Sequence, residues 1–411
     1  VVVVAIVLLL GLLADSYAMY RVHVQRLGNA LDFYPIWAGS REVVLNRHNP
    51  YDPDVMREIQ VAIYGRPALP EENQHGYAYP AYTSLVLLPF LLLPFPVAAS
   101  LWIAVQQLLL VAAVILVVQA TDWRTGPWRL ALLSLVAMTF RYSMITFVLG
   151  QTAIWVLFCL ALALWAARRQ RYTLAGLALT AGAIKPQLVV LPALALLASL
   201  RPRPRQRALL TAGGTLILLL GGSFLLAGNW TGDYWQQIQS YSGYSTTQFP
   251  LQALAEIWLA PPISQAINTM AVAALLGVLA WVLWQWRGSG QIALPVALAV
   301  VVTQLVVPQT GSYNLVLLLL PAIVALQRLS TGRSRRQPLT IAGRVLVWAD
   351  LLVIPWLLWP VIQYEGGTPL DLVVVPALLL LVIFALVATD KAHRPDLALA
   401  SEKGVSNRWS G

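Results

Sequence analysis

Long apolar runs separated by short polar turns dominate the chain. Runs of about 17–25 residues are the length a helix needs to cross a ~30 Å hydrocarbon layer. They fall near 1–20, 96–119, 128–148, 151–167, 208–227, 265–286, 291–307, 314–328, 344–362 and 369–389. No strand pattern, long-range repeat or soluble domain interrupts them. The pattern predicts an all-α polytopic membrane protein: one integral membrane domain over residues 1–411, with about 11 spans plus broken or re-entrant half-helices. The opening VVVVAIVLLLGLL has no basic n-region and no small-residue cleavage site, so it reads as a span with its start missing rather than a signal peptide.

Arginine placement orients these spans, because cytoplasmic turns carry the excess of Lys and Arg. The turns around Arg168–Arg171, Arg201–Arg207, Arg287 and Arg328–Arg344, and the tail 390–411, are expected to be cytoplasmic. The intervening turns 228–262, 308–313 and 363–371 carry little positive charge. This alternation requires residues 173–200, basic at both flanks, to enter the membrane and return. Half of that stretch is about 20 Å of helix, enough to pass the midplane but not to cross. Pro186 breaks the helix at the apex, and such breaks are tolerated inside protein or beside a cavity.

The same parity places residues 21–79 outside, with 80–93 dipping into the membrane as a half-helix that Leu93-Pro94-Phe95-Pro96 ends. The loop holds Asp32, Glu42, Asp52, Asp54, Glu58, Glu71 and Glu72. Within it, Pro35 to Asn46 gathers Ile36, Trp37, Val43 and Val44 near one face, an amphipathic interfacial helix. A second helix is expected to begin at Pro53, with Asp52 as its N-cap.

Composition narrows the function. The chain is 59% hydrophobic and 11% charged, with mean hydropathy +0.70, where soluble domains carry about 25% charged residues. Its net charge of +10 follows the cytoplasmic-turn bias, so no nucleic-acid partner is inferred. Cys159 is the single cysteine and forms no intrachain disulfide. His23, His48, His75 and His393 lack ligand spacing, so no metal site and no cofactor are expected.

Lys185 carries the strongest chemical signal. It is the only charged residue between Thr173 and Leu200, and an ammonium at bilayer depth costs about 2.5–3.5 kcal/mol or more. Such a cation is kept where an anion comes to meet it; the alternative is that it snorkels. Free amides of the helix after the break, beginning near Gln187, would add to an anion site. Asp32, close behind the first span, is placed for a general base at the interface, or else caps a helix or pairs with a loop arginine. Tyr34, Tyr51 and Tyr79 either anchor at the interface or bind sugar. Gly150-Gln151 and Pro308-Gln309-Thr310-Gly311-Ser312-Tyr313-Asn314 end helices on the same side, which nominates Gln151, Gln309, Tyr313 and Asn314 for a shared site.

In this order the motifs resemble glycosyltransferase family 87: an early Asp followed by Tyr, Asn49-Pro-Tyr-Asp52, Tyr77-Ala-Tyr-Pro80 running into a Leu-Leu-Pro segment, Gly-Gln, Ala-Gly…Ile-Lys-Pro, and Pro-x-x-x-x-Tyr-Asn. The resemblance spans roughly residues 30–320. It implies a GT-C class membrane enzyme, similar to the mycobacterial mannosyltransferases that build phosphatidylinositol mannosides. It also implies a polyprenyl-phosphate sugar donor, commonly mannose, a glycolipid or glycan acceptor, and a site on the extracytoplasmic face of a bacterial plasma membrane. Asp32 then matches the catalytic aspartate and Lys185 the lysine for the donor phosphate. Where some members carry a histidine near the later proline turn, this chain has Tyr313-Asn314.

Two other classes share some of these features. A transporter or flippase of a lipid-linked sugar would use the aromatics and the cation without needing Asp32. A surface polysaccharide polymerase or ligase would favour arginines in a large late outer loop, and 228–262 has none.

Overall fold

The apolar runs become helices that bury faces against one another. The computed structural model describes residues 11, 13–24, 32–244, 249–308, 311–331, 338–364 and 370–391, and every element among them is helical. Gln309, most of the first apolar run and the tail after Lys391 lie outside the described residues.

The loop region begins with α1 (Phe33–Arg41), which continues into a π-helical turn, Glu42–Asn46. Ile36 and Val43 are buried as the amphipathic pattern requires, whereas Val44 is partly buried and Trp37, also partly buried, turns to a second face of α1 with Tyr34 and Arg41. Helix α2 (Pro53–Tyr64) starts where the sequence places it: the Asp52 side chain accepts from the Asp54 amide, and Pro53 takes the first helical position, where no N–H is needed. The expected half-helix over 80–93 is instead two four-residue turns, α3 (Thr83–Val86) and α4 (Leu88–Leu91). Pro89 is the reason. It lacks an N–H, and its ring would strike the carbonyl of Leu85 in a continuous helix.

The bundle follows as α5 (Phe95–Ala120), α6 (Pro127–Thr139), α7 (Arg141–Leu149), α8 (Ala153–Arg168), α9 (Tyr172–Gly182), α10 (Pro186–Ser199), α11 (Pro202–Ala227), α12 (Thr231–Tyr244), α13 (Pro250–Glu256), α14 (Pro261–Gln285) and α15 (Ala293–Val306). A 3-10 segment, Ser312–Leu318, leads into α16 (Leu319–Thr331), and α17 (Pro338–Leu352), α18 (Ile354–Tyr364) and α19 (Leu370–Lys391) close the chain. Among the described residues five helices are long and apolar enough to cross a membrane, or up to seven if the bent pairs α6–α7 (56°) and α17–α18 (45°) each count once. Of the expected spans, 151–167 and 291–307 become the shorter apolar helices α8 and α15, and the two arms of the expected hairpin over 173–200 become the short apolar helices α9 and α10. At 16 and 14 residues, α8 and α15 reach about 24 and 21 Å. They form the interior, while α11 and α14 leave most of their apolar surface uncovered, as lipid-facing helices do.

The break at Lys185 turns the chain back. Helix α9 packs closely on α11: a Cβ at Gly176 would lie 2.4 Å from the Ala208 carbonyl oxygen, and Thr180 donates to the Ala212 carbonyl at 3.0 Å. Residue 176 therefore faces 208 and residue 180 faces 212, so the two helices run parallel. The start of α11 is then level with the start of α9, and α10 has carried the chain back between them. At the end of α10, the amides of Gly288 and Gly290 donate to the carbonyls of Ala198 and Ser199, which ties it to the turn bearing Arg287. Lys185 sits at the opposite end of the bundle, as N-cap of α10.

Candidate active site

Four aromatic side chains assemble the site from separate parts of the chain. The buried Trp102 of α5 stacks on Phe33 (centroids 5.2 Å apart, planes 6° apart). Its indole N–H donates to the Gly150 carbonyl at 2.9 Å. One residue therefore holds the neighbour of Asp32 and the neighbour of Gln151 together. Gly150 ends α7 at φ +71, a conformation in which a side chain would be strained. On the other side, Trp155 donates to the Ala181 carbonyl at 2.8 Å and Tyr82 to the Ala183 carbonyl at 2.7 Å. These two bonds fix the turn before Lys185. Pro186 keeps Lys185 out of the helical region, at φ −120, ψ 79.

At the centre is the Gln151 amide. Its Nε2 donates to Asp32 Oδ2 at 2.9 Å, and its Oε1 accepts from Lys185 Nζ at 2.9 Å. The amide can face only one way, because a carboxylate needs a donor and an ammonium needs an acceptor. Lys185 also reaches Asn314 Oδ1 at 3.4 Å. Its ammonium lies 4.7 Å from the ring centre of Tyr313 and 5.7 Å from that of Tyr79. Tyr79 donates to Gln151 Oε1 at 3.3 Å and lies 3.1 Å from the Thr152 hydroxyl. Tyr51 stands behind it, donating to the Tyr79 carbonyl.

The charges are held apart. Lys185 is 6% exposed, yet it belongs to none of the ion pairs among the described residues, and neither does Asp32. Asp32 occupies the N-cap position of α1 without capping it; its carboxylate turns to Gln151 instead. Neither the capping role nor the loop-arginine pair offered by the sequence describes it. One neutral amide thus stands between the acid and the ammonium.

Six residues nominated by the sequence meet here: Asp32, Tyr79, Gln151, Lys185, Tyr313 and Asn314. Tyr51 supports them from behind. Tyr34 lies elsewhere, packed edge-on against Phe95 and beside Trp37. Gln187 is exposed on α10, and its side chain makes no hydrogen bond to the cluster. Among the described residues no group of three His, Cys, Asp or Glu side chains is placed to hold a metal ion.

The structure adds residues that sequence reading missed. Thr152 shares the Tyr79 hydroxyl. His75, in the left-handed region at φ +46, lies in the field of Asp32. Burial pushes its imidazole below the usual range, and Asp32 opposes that shift. Arg141 and Asp371 form a second buried charged centre at 3.1 Å, with side chains 5% and 6% exposed. Arg141 also lies 4.5 Å over the Trp359 ring. Ser312, next to Tyr313, sits at the Asp371 carboxylate, and Thr146 of α7 donates to the Tyr313 carbonyl at 3.3 Å. Arg141 lies inside the apolar run 128–148, the same local signal that marks Lys185.

A sequence model of glycosyltransferase family 87 matches residues 77–308, more than half of the chain. The chain belongs to glycosyltransferase family 87. No curated protein and no solved structure matches it. With its apolar helices, this makes the chain a multi-pass membrane glycosyltransferase. The matched region contains Tyr79, Gln151 and Lys185. Asp32 precedes it, and Tyr313 and Asn314 follow it. What joins the three groups is their contact in space.

Proposed function

We propose that this glycosyltransferase moves a hexose, with mannose the first donor to test, from a polyprenyl phosphate to a hydroxyl of a glycolipid or glycan acceptor, with inversion at the anomeric carbon. The observation that carries the reading is the Gln151 bridge, which holds a carboxylate and a buried ammonium in one site without letting them neutralise each other. Asp32 is the general base. It takes the proton of the acceptor hydroxyl as that oxygen attacks the anomeric carbon. The bond from that carbon to the phosphate oxygen breaks, and the electron pair leaves with the phosphate. The phosphate gains negative charge in this step, so a cation beside it favours the transition state over the ground state. Lys185 is that cation, joined by the backbone amide of Gln187 at the start of α10. Tyr79, Tyr313 and Asn314 would line the space for the transferred sugar.

One carboxylate and one cation suffice for this chemistry, so the reading asks for no metal. It places the site on the extracytoplasmic side of a plasma membrane, with the arginine-bearing turns in the cytoplasm. The test is transfer in detergent from a synthetic polyprenyl-phosphate mannose to a glycolipid acceptor. Asp32→Asn should lower transfer by about 10²–10⁴-fold, the usual contribution of a general base, while donor binding persists. Normal turnover by that variant would end the assignment.

A further inference from the structure

Helix α1 has a second face that the catalytic reading leaves unused. Phe33, Ile36 and Ser40 are buried on one side. Tyr34, Trp37, Ala38 and Arg41 recur at helical spacing on the other and line a cavity of about 160 Å³. Val55, Glu58 and Ile59 of α2 and Glu42 complete the lining. A cavity of about 150 Å³ is large enough for a single six-membered ring.

The lining is built rather than incidental. The Trp37 indole N–H donates to the Phe90 carbonyl at 3.3 Å, and Arg41 donates to the Leu91 carbonyl at 3.0 Å. The two aromatic walls are therefore fixed: Tyr34 lies 5.8 Å from Trp37 and stands edge-on to Phe95 at 4.8 Å. Burial and the nearby Glu58 carboxylate both keep the Tyr34 hydroxyl protonated, so it can donate. Glu58 is exposed to the opening and is in none of the ion pairs among the described residues.

The chemistry of the lining selects among ligands. A cation is disfavoured because the Arg41 guanidinium already lies 5.2 Å over the Trp37 ring. An anion is disfavoured by Glu42 and Glu58. Both Glu42 oxygens are taken by Asn46 and His48, so the open acceptor is the Glu58 carboxylate; with the aromatic side chains and the phenol and guanidinium donors it suits a neutral ring with several hydroxyls. We propose that this cavity is a saccharide subsite that holds one neutral pyranose ring of the acceptor, apart from the ring that reacts at Asp32. The assignment rests on the transferase reading for its acceptor, but not for its binding chemistry.

Two variants test it on the full chain in sugar-free detergent micelles. Ala38→Leu fills the cavity on a helix face where leucine is well tolerated. Glu58→Gln removes the exposed charge without leaving a buried group unpaired. Saturation-transfer NMR with methyl α-mannoside and an α-linked mannobiose reads binding directly. The expected result is binding to wild type, weakened about tenfold in Glu58→Gln, as for the loss of a hydrogen bond to a charged group, and lost in Ala38→Leu, whose side chain takes the space of the ring. In transfer assays, Glu58→Gln should raise the KM for an extended acceptor and leave the donor KM unchanged. Asp32→Asn, inactive in transfer, should still bind the disaccharide. Failure of the transferase reading would therefore leave this binding result standing. Equal binding by wild type and both variants, no saccharide binding, or preferential binding of choline or inorganic phosphate would each overturn the subsite.

Discussion

Two buried cations lie near the same end of this bundle, and they are built on opposite plans. Arg141 has a carboxylate partner, Asp371, at 3.1 Å, and an aromatic lid in Trp359. Lys185 has amide oxygens, tyrosine faces and no carboxylate within ion-pair distance among the described residues. A buried cation with its own acid has its charge met within the protein, and here the pair ties α7 to α19. A buried cation with only neutral donors and acceptors around it carries an unmet demand for an anion. On the proposed reading this difference gives Arg141 a structural role and Lys185 a chemical one, although residue type and burial are nearly the same.

The sharpest way to break this contrast is to remove each cation and compare losses. Lys185→Ala should reduce transfer by about 10²–10³-fold, the usual cost of deleting one group that stabilises developing negative charge. Its melting temperature should hold, because a costly buried charge goes with it. Arg141→Ala should do the reverse, losing about 3–5 kcal/mol of stability because Asp371 is left buried and unpaired. Its residual activity should track the folded fraction. Parallel stability loss in both variants, measured by thermal unfolding beside specific activity, would erase the distinction.

A subtler change converts one centre into the other. Gln151→Glu would give Lys185 the carboxylate it lacks, copying the Arg141–Asp371 arrangement, and would set a second acid against Asp32. The new carboxylate would also replace the donor that Asp32 now has at 2.9 Å, so its attraction to Lys185 is offset by repulsion from Asp32 and stability should not rise. Donor affinity should fall at least tenfold, since the phosphate would compete with an internal partner, and transfer should fall further. A Gln151→Glu variant that binds donor as tightly as wild type would mean that the neutral bridge is incidental.

The same contrast marks where the sequence is legible. Lys185 was visible because its neighbours are apolar and Pro186 advertises a break. The start of α2 was visible because Asp52-Pro53 carries both the cap and the missing N–H. Arg141 has the same local signature as Lys185, but its partner lies 230 residues away, and no spacing rule reaches that far. Tyr34 and Tyr79 look alike as sequence. Only the orientation of α1 separates a residue on its open face from one that touches Gln151. Gln187 was nominated through the amides of its helix, and the fold leaves its side chain exposed. By hydropathy the segment 80–93 is one dip, because Pro89 counts as one residue among many, whereas sterics make it a boundary.

The smallest expected effect comes from a third charged pair, which calibrates the other two. Arg66 and Glu72 meet at 2.7 Å in the loop after α2, with side chains 47% and 27% exposed. Arg66, together with the Leu69 amide, holds the Glu72 carboxyl down to about 2. A depressed carboxyl contributes stability that is present above its ordinary range near 4.3 and lost as pH falls through the lowered value. The loop contacts should therefore persist at pH 4 and open only as pH approaches about 2. Water screens this pair, and exposed pairs contribute little to global stability. Glu72→Gln should leave the melting temperature at pH 7 unchanged within error. Its signature should be local: faster proteolysis between Arg66 and Glu72 at neutral pH, with no change in transfer. A global destabilisation comparable to that of Arg141→Ala would show that exposure does not separate these pairs, and the assignment of Arg141 to structure by its burial would then need another basis.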